Sequence, residues 1–524
     1  MKRRNFVKSI PALTIPSFLG GFAVRALGEN PMLSALVNAY TETDHVLVLI
    51  QLNGGNDGLN MVIPLDQYTN MTAARGNLVQ DEAKVLKLTD KTGLHPAMTG
   101  LKTLYDEGKL NVMQSVGYPT PSFSHFRATD IWMTGADSDK VIYSGWGGRY
   151  MNYEYPNYPA AYPNTTMPDP LAIQIGGTVS ETFQALGVNT GIAINNTNDF
   201  YNILSNTYPT APNTQSGKEL TYLRQIARQT DSYANVIAAA GTKQKNLVTY
   251  PTGNNLADQL AIVARLIGGG LKTRMYMVSL GGFDTHQNQV NANDHSTGTH
   301  ANLLGNVSNA ILTFQRDLEA MKVADRVTGM TFSEFGRRIK SNGSGGTDHG
   351  AAAPLFVFGN KVKGGVLGNN VQIAANTTVN DNIPMQYDFR SIYATMLTEW
   401  FCMPKEDIKT VMFKDFQNLP ILNAKCSTPV DVHEANVAAG ENLITIFPNP
   451  CTDSTTVQFE SYGGDCMIQL FDNQGHLLRL VTQGDYDKGQ YSSNVDMSDL
   501  PAGMYYMRFQ NNALQQVKPV VKIR

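Results

Sequence analysis

Apolar runs of strand length alternate with amphipathic helical stretches between residues 45 and 405. Four runs have the character of buried strands: Val46–Leu52, Leu110–Val116, Met275–Leu280 and Leu355–Phe358. Five stretches have helical spacing of their apolar residues: Leu94–Glu107, Phe126–Thr134, Leu256–Ile267, Asn302–Met321 and Tyr387–Phe401. Strands that alternate with helices form a mostly parallel sheet covered by helices on both faces. We therefore expect an α/β fold of this kind.

Acidic and histidine residues follow the predicted strands. Asp57 comes after the first run, Asp284 and His286 after Met275–Leu280, and Asp348 and His349 lie in a glycine-rich stretch further on. Side chains at the carboxyl ends of neighbouring parallel strands converge on one crevice. Each residue alone has a simple interpretation as a turn-capping Asp or a hydrogen-bonded loop His. Together the five favour a metal or anion site, and as a metal site it would hold one or two divalent ions, which we expect to be zinc, manganese or calcium.

The bulk properties exclude one class of partner. The chain has 524 residues, a net charge of −3 and an isoelectric point near 6.3. Without a basic field it is not expected to bind nucleic acid. Its length accommodates a large core domain and a small additional one.

Four cysteines offer two plausible pairs. Cys402 and Cys426 flank the end of the core, while Cys451 and Cys466 lie close together near the C-terminus. Spacing alone does not decide the connectivity. None of the four is near the Asp and His residues, so a zinc–thiolate site is not expected.

The N-terminus resembles a twin-arginine export signal. Met1–Lys8 contains paired arginines followed by Asn, Phe, Val and Lys, and an apolar stretch to Ala26 follows. Prolines and glycines interrupt that stretch, which is too short for a stable span. We expect residues 1–26 to be a cleaved signal and the mature chain to have no transmembrane span. An ordinary secretory signal or an uncleaved anchor is the alternative.

The C-terminus predicts a small all-β sandwich. From about Asn442 short alternating runs are separated by turn residues, as in Thr456–Phe459, Met467–Phe471 and Met504–Phe509. Three landmarks resemble the type A sorting domain of the type IX secretion system: Phe447–Pro450, Asp499–Tyr505 and Val517–Arg524. The resemblance implies passage through the type IX machinery to the outer-membrane surface or the extracellular space. The domain would span residues 442–524 after a linker at 431–441; a carbohydrate-binding sandwich is the alternative.

The core resembles the DUF1501 family, itself similar to the alkaline phosphatase and sulfatase superfamily. The segments that carry the resemblance are Leu52–Asn60, Leu94–Pro96, Ser124–Arg127, Gly282–His286, Ser333–Arg337, Gly345–Gly350 and Asp388–Arg390. With residues 27–430 as the core, it implies an alkaline-phosphatase-like fold. It also implies a metal-dependent hydrolase of phosphate or sulfate esters, acting on an anionic small molecule or a glycan ester. The alternative is a non-catalytic envelope or glycan-binding protein that retains the fold.

The resemblance also directs attention to the start of one helix. The superfamily places its nucleophile at a helix N-terminus, where backbone N–H groups favour an anion. Ser124 is the first candidate here and Ser122 the second, with simple N-capping as the alternative. His125 remains open as a base, a ligand or a buried histidine. No Gly-x-Ser-x-Gly elbow surrounds either serine, which disfavours a serine peptidase or lipase.

Further candidates come from the same comparison. Arg337, or its neighbour Arg338, would clamp an anionic oxygen by a bidentate contact, and Glu334 is either a buried ion-pair partner or a ligand. The superfamily draws one more metal ligand from a late histidine, which this core lacks after His349. His300, at the start of a helix, is the candidate replacement, ahead of His295 and His95.

Overall fold

The computed structural model describes residues 43–185, 188–195, 233–423, 426, 443–472, 477–511 and 514–523. The chain divides into two compact units, with Thr43–Cys426 forming the larger one and the C-terminal unit following it. The export signal predicted for residues 1–26 and the linker predicted at 431–441 lie outside the described residues.

A nine-stranded sheet forms the centre of the larger unit. The strands of this unit, including those of two small sheets, are β1 Val46–Leu52, β2 Val62–Pro64, β3 Leu86–Lys87, β4 Thr92–Leu94, β5 Leu110–Gly117, β6 Ala172–Ile175, β7 Gln184–Ala185, β8 Val188–Asn189, β9 Gly191–Ile194, β10 Met275–Leu280, β11 Val327–Phe332, β12 Ala353–Phe358, β13 Gly365–Leu367 and β14 Tyr387–Asp388.

The order in the large sheet is β13-β5-β12-β11-β1-β10-β6-β9, and β14 pairs with β5. Neighbours are parallel except where β12 meets β11 and β5. The predicted fold class, a mostly parallel sheet with helices, is thus confirmed. Two small antiparallel sheets, β2-β4-β3 and β7-β8, lie outside it.

Helices cover both faces of the sheet. The α-helices are Gly58–Met61, Tyr68–Arg75, Thr99–Asp106, His125–Thr134, Trp146–Glu154, residues 233–243, Asn255–Gly268, Thr299–Ala320, Phe389–Thr395 and Ile408–Met412. Single turns of 3₁₀-helix occupy Leu65–Gln67, Glu82–Lys84, Glu181–Phe183, Ala324–Arg326 and Lys405–Asp407, and Met396–Trp400 is a π-helical turn.

Alternate residues of β1 serve two separate cores, because successive side chains of a strand point to opposite faces. Val48 packs in one core with two long helices, Asn255–Gly268 and Thr299–Ala320. Leu49 packs in the other, which includes helix His125–Thr134. β1 is buried along its whole length, as its continuous apolar sequence predicts.

Two predicted helices begin later than their apolar spacing indicated. Leu94 belongs to β4, which pairs with β2, and the helix starts at Thr99. Tyr387 pairs with β5, so Asp388 becomes the N-cap of the following helix and its carboxylate accepts from the Arg390 amide. Cross-strand pairing, which periodicity does not encode, displaced both starts.

The C-terminal unit is a five-stranded antiparallel sheet. Its strands are β15 Ile444–Phe447, β16 Ser454–Phe471, β17 Leu477–Asp496, β18 Gly503–Asn511 and β19 Leu514–Lys522. The first part of β16 pairs with β15 and its second part with β18, with Gly463 and Gly464 between them at positive φ. All five strands bury side chains in one core, as predicted for a small all-β domain.

Cys402 and Cys426 form a disulfide at the end of the larger unit, whereas Cys451 and Cys466 are buried free thiols. Among the described residues, no helix combines the length and the apolar character needed to cross a membrane.

Candidate metal centre

The carboxyl ends of β1, β10 and β11 meet at one edge of the sheet, because these strands are neighbours and parallel. The loops that follow them touch at Gly54, whose φ is +128°. Its amide donates to Glu334 Oε1 at 2.9 Å, and a Cβ there would stand 2.4 Å from the backbone nitrogen of Asp284. Only glycine lets the three loops pack this closely.

Four side chains converge at this edge, and we call them the Asp/His cluster: His125, Asp284, His286 and His349. Asp284 Oδ1 lies 3.1 Å from His286 Nε2 and 3.2 Å from His349 Nε2, and those two nitrogens are 2.9 Å apart. His125 Nε2 lies 3.5 Å from the other oxygen, Asp284 Oδ2. Ligand atoms of His125, Asp284 and His349 all lie within 4.8 Å of one another.

Each imidazole of the Asp/His cluster has an oxygen behind its other nitrogen. The contacts are His125 Nδ1 to Glu334 Oε1 at 2.9 Å, His349 Nδ1 to the Phe123 carbonyl oxygen at 2.8 Å and His286 Nδ1 to Asp348 Oδ1 at 3.3 Å. A carbonyl or carboxylate oxygen accepts, so each Nδ1 carries the proton. In the neutral form of the rings every Nε2 then directs a lone pair toward the Asp284 carboxylate, an arrangement that a metal ion between them, or a second proton on the ring, stabilises.

The spacing of these atoms suits a divalent metal. A tetrahedral site with bonds of about 2.1 Å separates neighbouring ligand atoms by about 3.4 Å. The four contacts described above, from 2.9 to 3.5 Å, are close to that value, and the ligand atoms that all lie within 4.8 Å of one another are those of His125, Asp284 and His349, while His286 contacts this set from one side. Three imidazoles and one carboxylate also form a donor set that such metals accept.

Asp284 supplies the negative charge of the cluster, and its side chain is about half exposed. Burial opposes its ionisation, but the hydrogen bond from Arg337 and the charge of that guanidinium hold its pKa below the usual range. The carboxylate is therefore ionised at neutral pH and ready to bind a cation.

Arg337 lies underneath Asp284, where it has no exposed surface. Its guanidinium donates to Asp284 Oδ1 at 2.7 Å and to the carbonyl oxygens of Gly54, Gly55, Phe283 and Thr347. These contacts orient Asp284 and join the loops. Arg338 is the more accessible of the two: it donates to the His349 carbonyl at 3.1 Å, and its guanidinium lies 5.6 Å from the Phe123 ring centre.

The structure does not bring Asp57 and His300 into the Asp/His cluster. Asp57 is fully buried, with Arg75 Nη1 at 2.9 and 3.0 Å from its oxygens and Gln289 Nε2 at 2.6 Å. Burial opposes its ionisation, yet the Arg75 charge keeps its pKa below the usual range. His300 Nε2 lies 2.9 Å from Asn56 Oδ1, and burial lowers its pKa to about 4. The polar atoms of both side chains form hydrogen bonds in the protein interior and do not face the cluster.

Asp348 lies behind His286 instead of facing the centre of the cluster. Its Oδ1 accepts from Asn342 at 3.0 Å, and this hydrogen bond lowers its pKa. It therefore occupies the position from which a carboxylate orients a metal-binding imidazole.

Ser124 is the N-cap of helix His125–Thr134, directly before a cluster histidine. Its side chain is exposed and makes no capping hydrogen bond. Ser122 lies two residues earlier, and its hydroxyl accepts from the Ser124 amide at 3.3 Å. Both predicted serines thus lie at the helix start that adjoins the cluster.

The sequence did not decide the roles of two residues that take part in this site, His125 and Glu334. Glu334 is 1% exposed and bonds both the Gly54 amide and His125. The sequence offers only their positions as signals, since Glu334 lies two residues after the end of β11 and His125 begins a helix next to a serine. Neither signal separates a metal site from an ordinary buried contact.

The fold and the cluster define an α/β protein with a candidate metal centre at the carboxyl edge of its sheet. A family model described as a protein of unknown function, DUF1501, matches residues 44–406. The chain belongs to the DUF1501 family, as its motifs predicted.

A second model, described as a secretion system C-terminal sorting domain, matches residues 445–523. The prediction of a sorting domain is confirmed, and with it export to the cell surface or the extracellular space. No curated protein matches the chain.

Solved structures show weaker likenesses. A PsFucS1 sulfatase from Pseudoalteromonas sp. is 10% identical with a TM-score of 0.32, over 88% of this chain and 85% of that one. Alkaline phosphatase from the Antarctic bacterium TAB5 is 10% identical with a TM-score of 0.25, over 60% and 90%. PorZ, a type IX secretion component of Porphyromonas gingivalis, is 13% identical with a TM-score of 0.12, over 20% of this chain and 14% of PorZ. Likenesses at this level carry no argument about function.

Proposed function

We propose that the protein is an exported, metal-dependent hydrolase of phosphate or sulfate esters, acting on an anionic small molecule or a glycan ester. One observation supports this most: three imidazoles hold their Nδ1 protons on oxygens behind them, while their Nε2 lone pairs meet the Asp284 carboxylate. Zinc or manganese suits this set better than calcium, which takes oxygen ligands.

A metal bound there would supply Lewis acidity toward an oxygen of the ester. The chain itself contributes the start of helix His125–Thr134, whose free backbone N–H groups and dipole favour an anionic group beside the metal. Ser124 presents a hydroxyl free of capping at this point and is the first candidate nucleophile, with Ser122 the second.

Elemental analysis of the full chain tests the metal centre. After loading with zinc or manganese and desalting, we expect about one ion per chain in the wild type. His349→Ala should lose it, because its Nε2 is one of the converging donors. His295→Ala is the matched control, since its Nδ1 contacts the Val79 carbonyl and not the cluster. A wild type that retains neither metal would contradict the proposal.

Turnover of 4-nitrophenyl phosphate and 4-nitrophenyl sulfate tests the reaction. We expect hydrolysis that requires the loaded metal, and a fall of at least about a hundredfold in kcat for Ser124→Ala if its hydroxyl is the nucleophile. A protein that binds metal but turns over neither these esters nor sulfated or phosphorylated saccharides would instead be a binding protein of the envelope.

A further inference from the structure

A buried amide outside the Asp/His cluster connects the two loops that carry most of it. Gln289 has no exposed surface, and its Oε1 accepts from the hydroxyls of Thr285 at 3.0 Å and Thr347 at 2.9 Å. Thr285 separates the two cluster residues of the first loop, and Thr347 lies two positions before His349. One oxygen atom therefore holds both loops.

The orientation of this amide is fixed from its other end. Gln289 Nε2 donates to Asp57 Oδ2 at 2.6 Å, and Asp57, kept ionised by Arg75, can only accept. Turning the amide over would place Oε1 against the Asp57 carboxylate, a repulsive contact between two acceptors, so Oε1 stays on the threonine hydroxyls. Arg75, Asp57, Gln289 and the two threonines form a continuous chain, each member at most 4% exposed.

We propose that Gln289 is a positioning residue of the metal centre: it sets the distance between the two ligand loops and transmits to them the rigidity of the buried Asp57–Arg75 pair. The inference rests on the proposed function, in which the Asp/His cluster binds a metal. Asp57 acts on the centre through this amide and not as a ligand. Groups that orient metal ligands from behind typically change metal affinity by roughly 10- to 100-fold when removed, and ligand loops need placement within about 0.5 Å.

Variants of matched shape separate positioning from general stability. Gln289→Met keeps the length of the side chain and removes both polar atoms. Thr285→Val and Thr347→Val each remove one hydroxyl at nearly constant volume. Thr328→Val is the control, because Thr328 is also fully buried and its hydroxyl has no partner among the described residues.

The zinc dissociation constant, measured on the full chain by competition with a chromophoric chelator, is the first readout. We expect it to rise about 10- to 100-fold in Gln289→Met, to rise less in each threonine variant, and to stay at the wild-type value in Thr328→Val. Hydrogen exchange of the metal-free protein is the second. Gln289→Met should raise exchange in residues 284–289 and 345–350 together, whereas Thr285→Val should affect mainly the first loop.

These experiments test the role of Gln289 separately from the proposed function. Wild-type zinc affinity and unchanged exchange of both loops in Gln289→Met would overturn the inference. If that variant does not fold, wild-type affinity in both threonine variants would overturn it equally. If the wild type binds neither zinc nor manganese, the proposed function fails, but the exchange experiment still tests Gln289: joint loosening of the two loops supports its role, and the absence of loosening refutes it.

Discussion

Replacing Asp57 by asparagine should destabilise the core strongly without removing a metal ligand. The Asp57 and Arg75 side chains are 1% and 0% exposed, and one guanidinium nitrogen contacts both carboxylate oxygens at 2.9 and 3.0 Å. A neutral amide in place of the carboxylate would leave the Arg75 charge buried and uncompensated. Breaking a buried pair by removing one partner costs about 3–5 kcal/mol, so we expect the free energy of unfolding to fall by about that amount.

Urea unfolding followed by tryptophan fluorescence measures this loss. The chain has three tryptophans, Trp132, Trp146 and Trp400, and all lie in the larger unit, so the signal reports that unit alone. The experiment is run with a chelator present, so that metal binding makes no contribution. Asp106→Asn is the matched control, because its pair with Lys102 is exposed and such pairs contribute about 0–1 kcal/mol.

The reasoning would be refuted if Asp57→Asn lost no more stability than Asp106→Asn. The same variant separates the two interpretations of Asp57. If Asp57 were a metal ligand, the variant protein would not bind the metal. If Asp57 acts through Gln289, the variant should bind zinc more weakly but still retain a site.

Three other outcomes follow from the described contacts. Burial lowers the pKa of His300 from 6.5 to about 4, so the unfolded chain takes up this proton more readily than the folded one. The stability associated with His300 is therefore fully present above pH 6.5, and about 3 kcal/mol of it is lost as the pH falls toward 4. In His300→Gln, the free energy of unfolding should depend less on pH in that window. Thiol titration of the denatured, unreduced protein should find two thiols, and replacing Cys402 and Cys426 by serine should cost about 3 kcal/mol in urea unfolding, because the closed loop spans 24 residues. Glu334→Leu removes the acceptor behind His125 and should weaken zinc binding by about 10- to 100-fold in chelator competition; an unchanged affinity would count against the tautomer argument.

The fold was predictable because its information is local. β1 is a continuous apolar run and is buried on both faces, as a central parallel strand requires. Helix Thr299–Ala320 carries its apolar residues on one side and was located within a few residues. The two displaced helix starts, at Thr99 and Phe389, depend on pairing with strands distant in sequence, which no local pattern shows.

The sequence predicted the location of the candidate site better than it predicted which residues form it. Strand ends indicated the correct edge of the sheet, and Asp284, His286 and His349 meet there. A carboxylate at a strand end faces the crevice only if buried side chains do not bond both of its oxygens. Asp57 forms an ion pair with Arg75, the last residue of a helix that was not predicted from the sequence. His125 enters from a helix outside these strand-end loops, so only the packed structure shows its approach.

The disulfide between Cys402 and Cys426 has a mechanical consequence for an exported protein. Cys426 is the last residue of the larger unit, and the chain continues from it to the sorting domain. Any force applied to the chain beyond Cys426 would therefore reach the folded core through the covalent bond to Cys402, and residues 403–423 would bear little of the tension. The terminal segment of the core cannot be peeled away residue by residue. The cross-link thus makes the attachment point of the sorting domain resistant to force, where noncovalent packing would yield progressively.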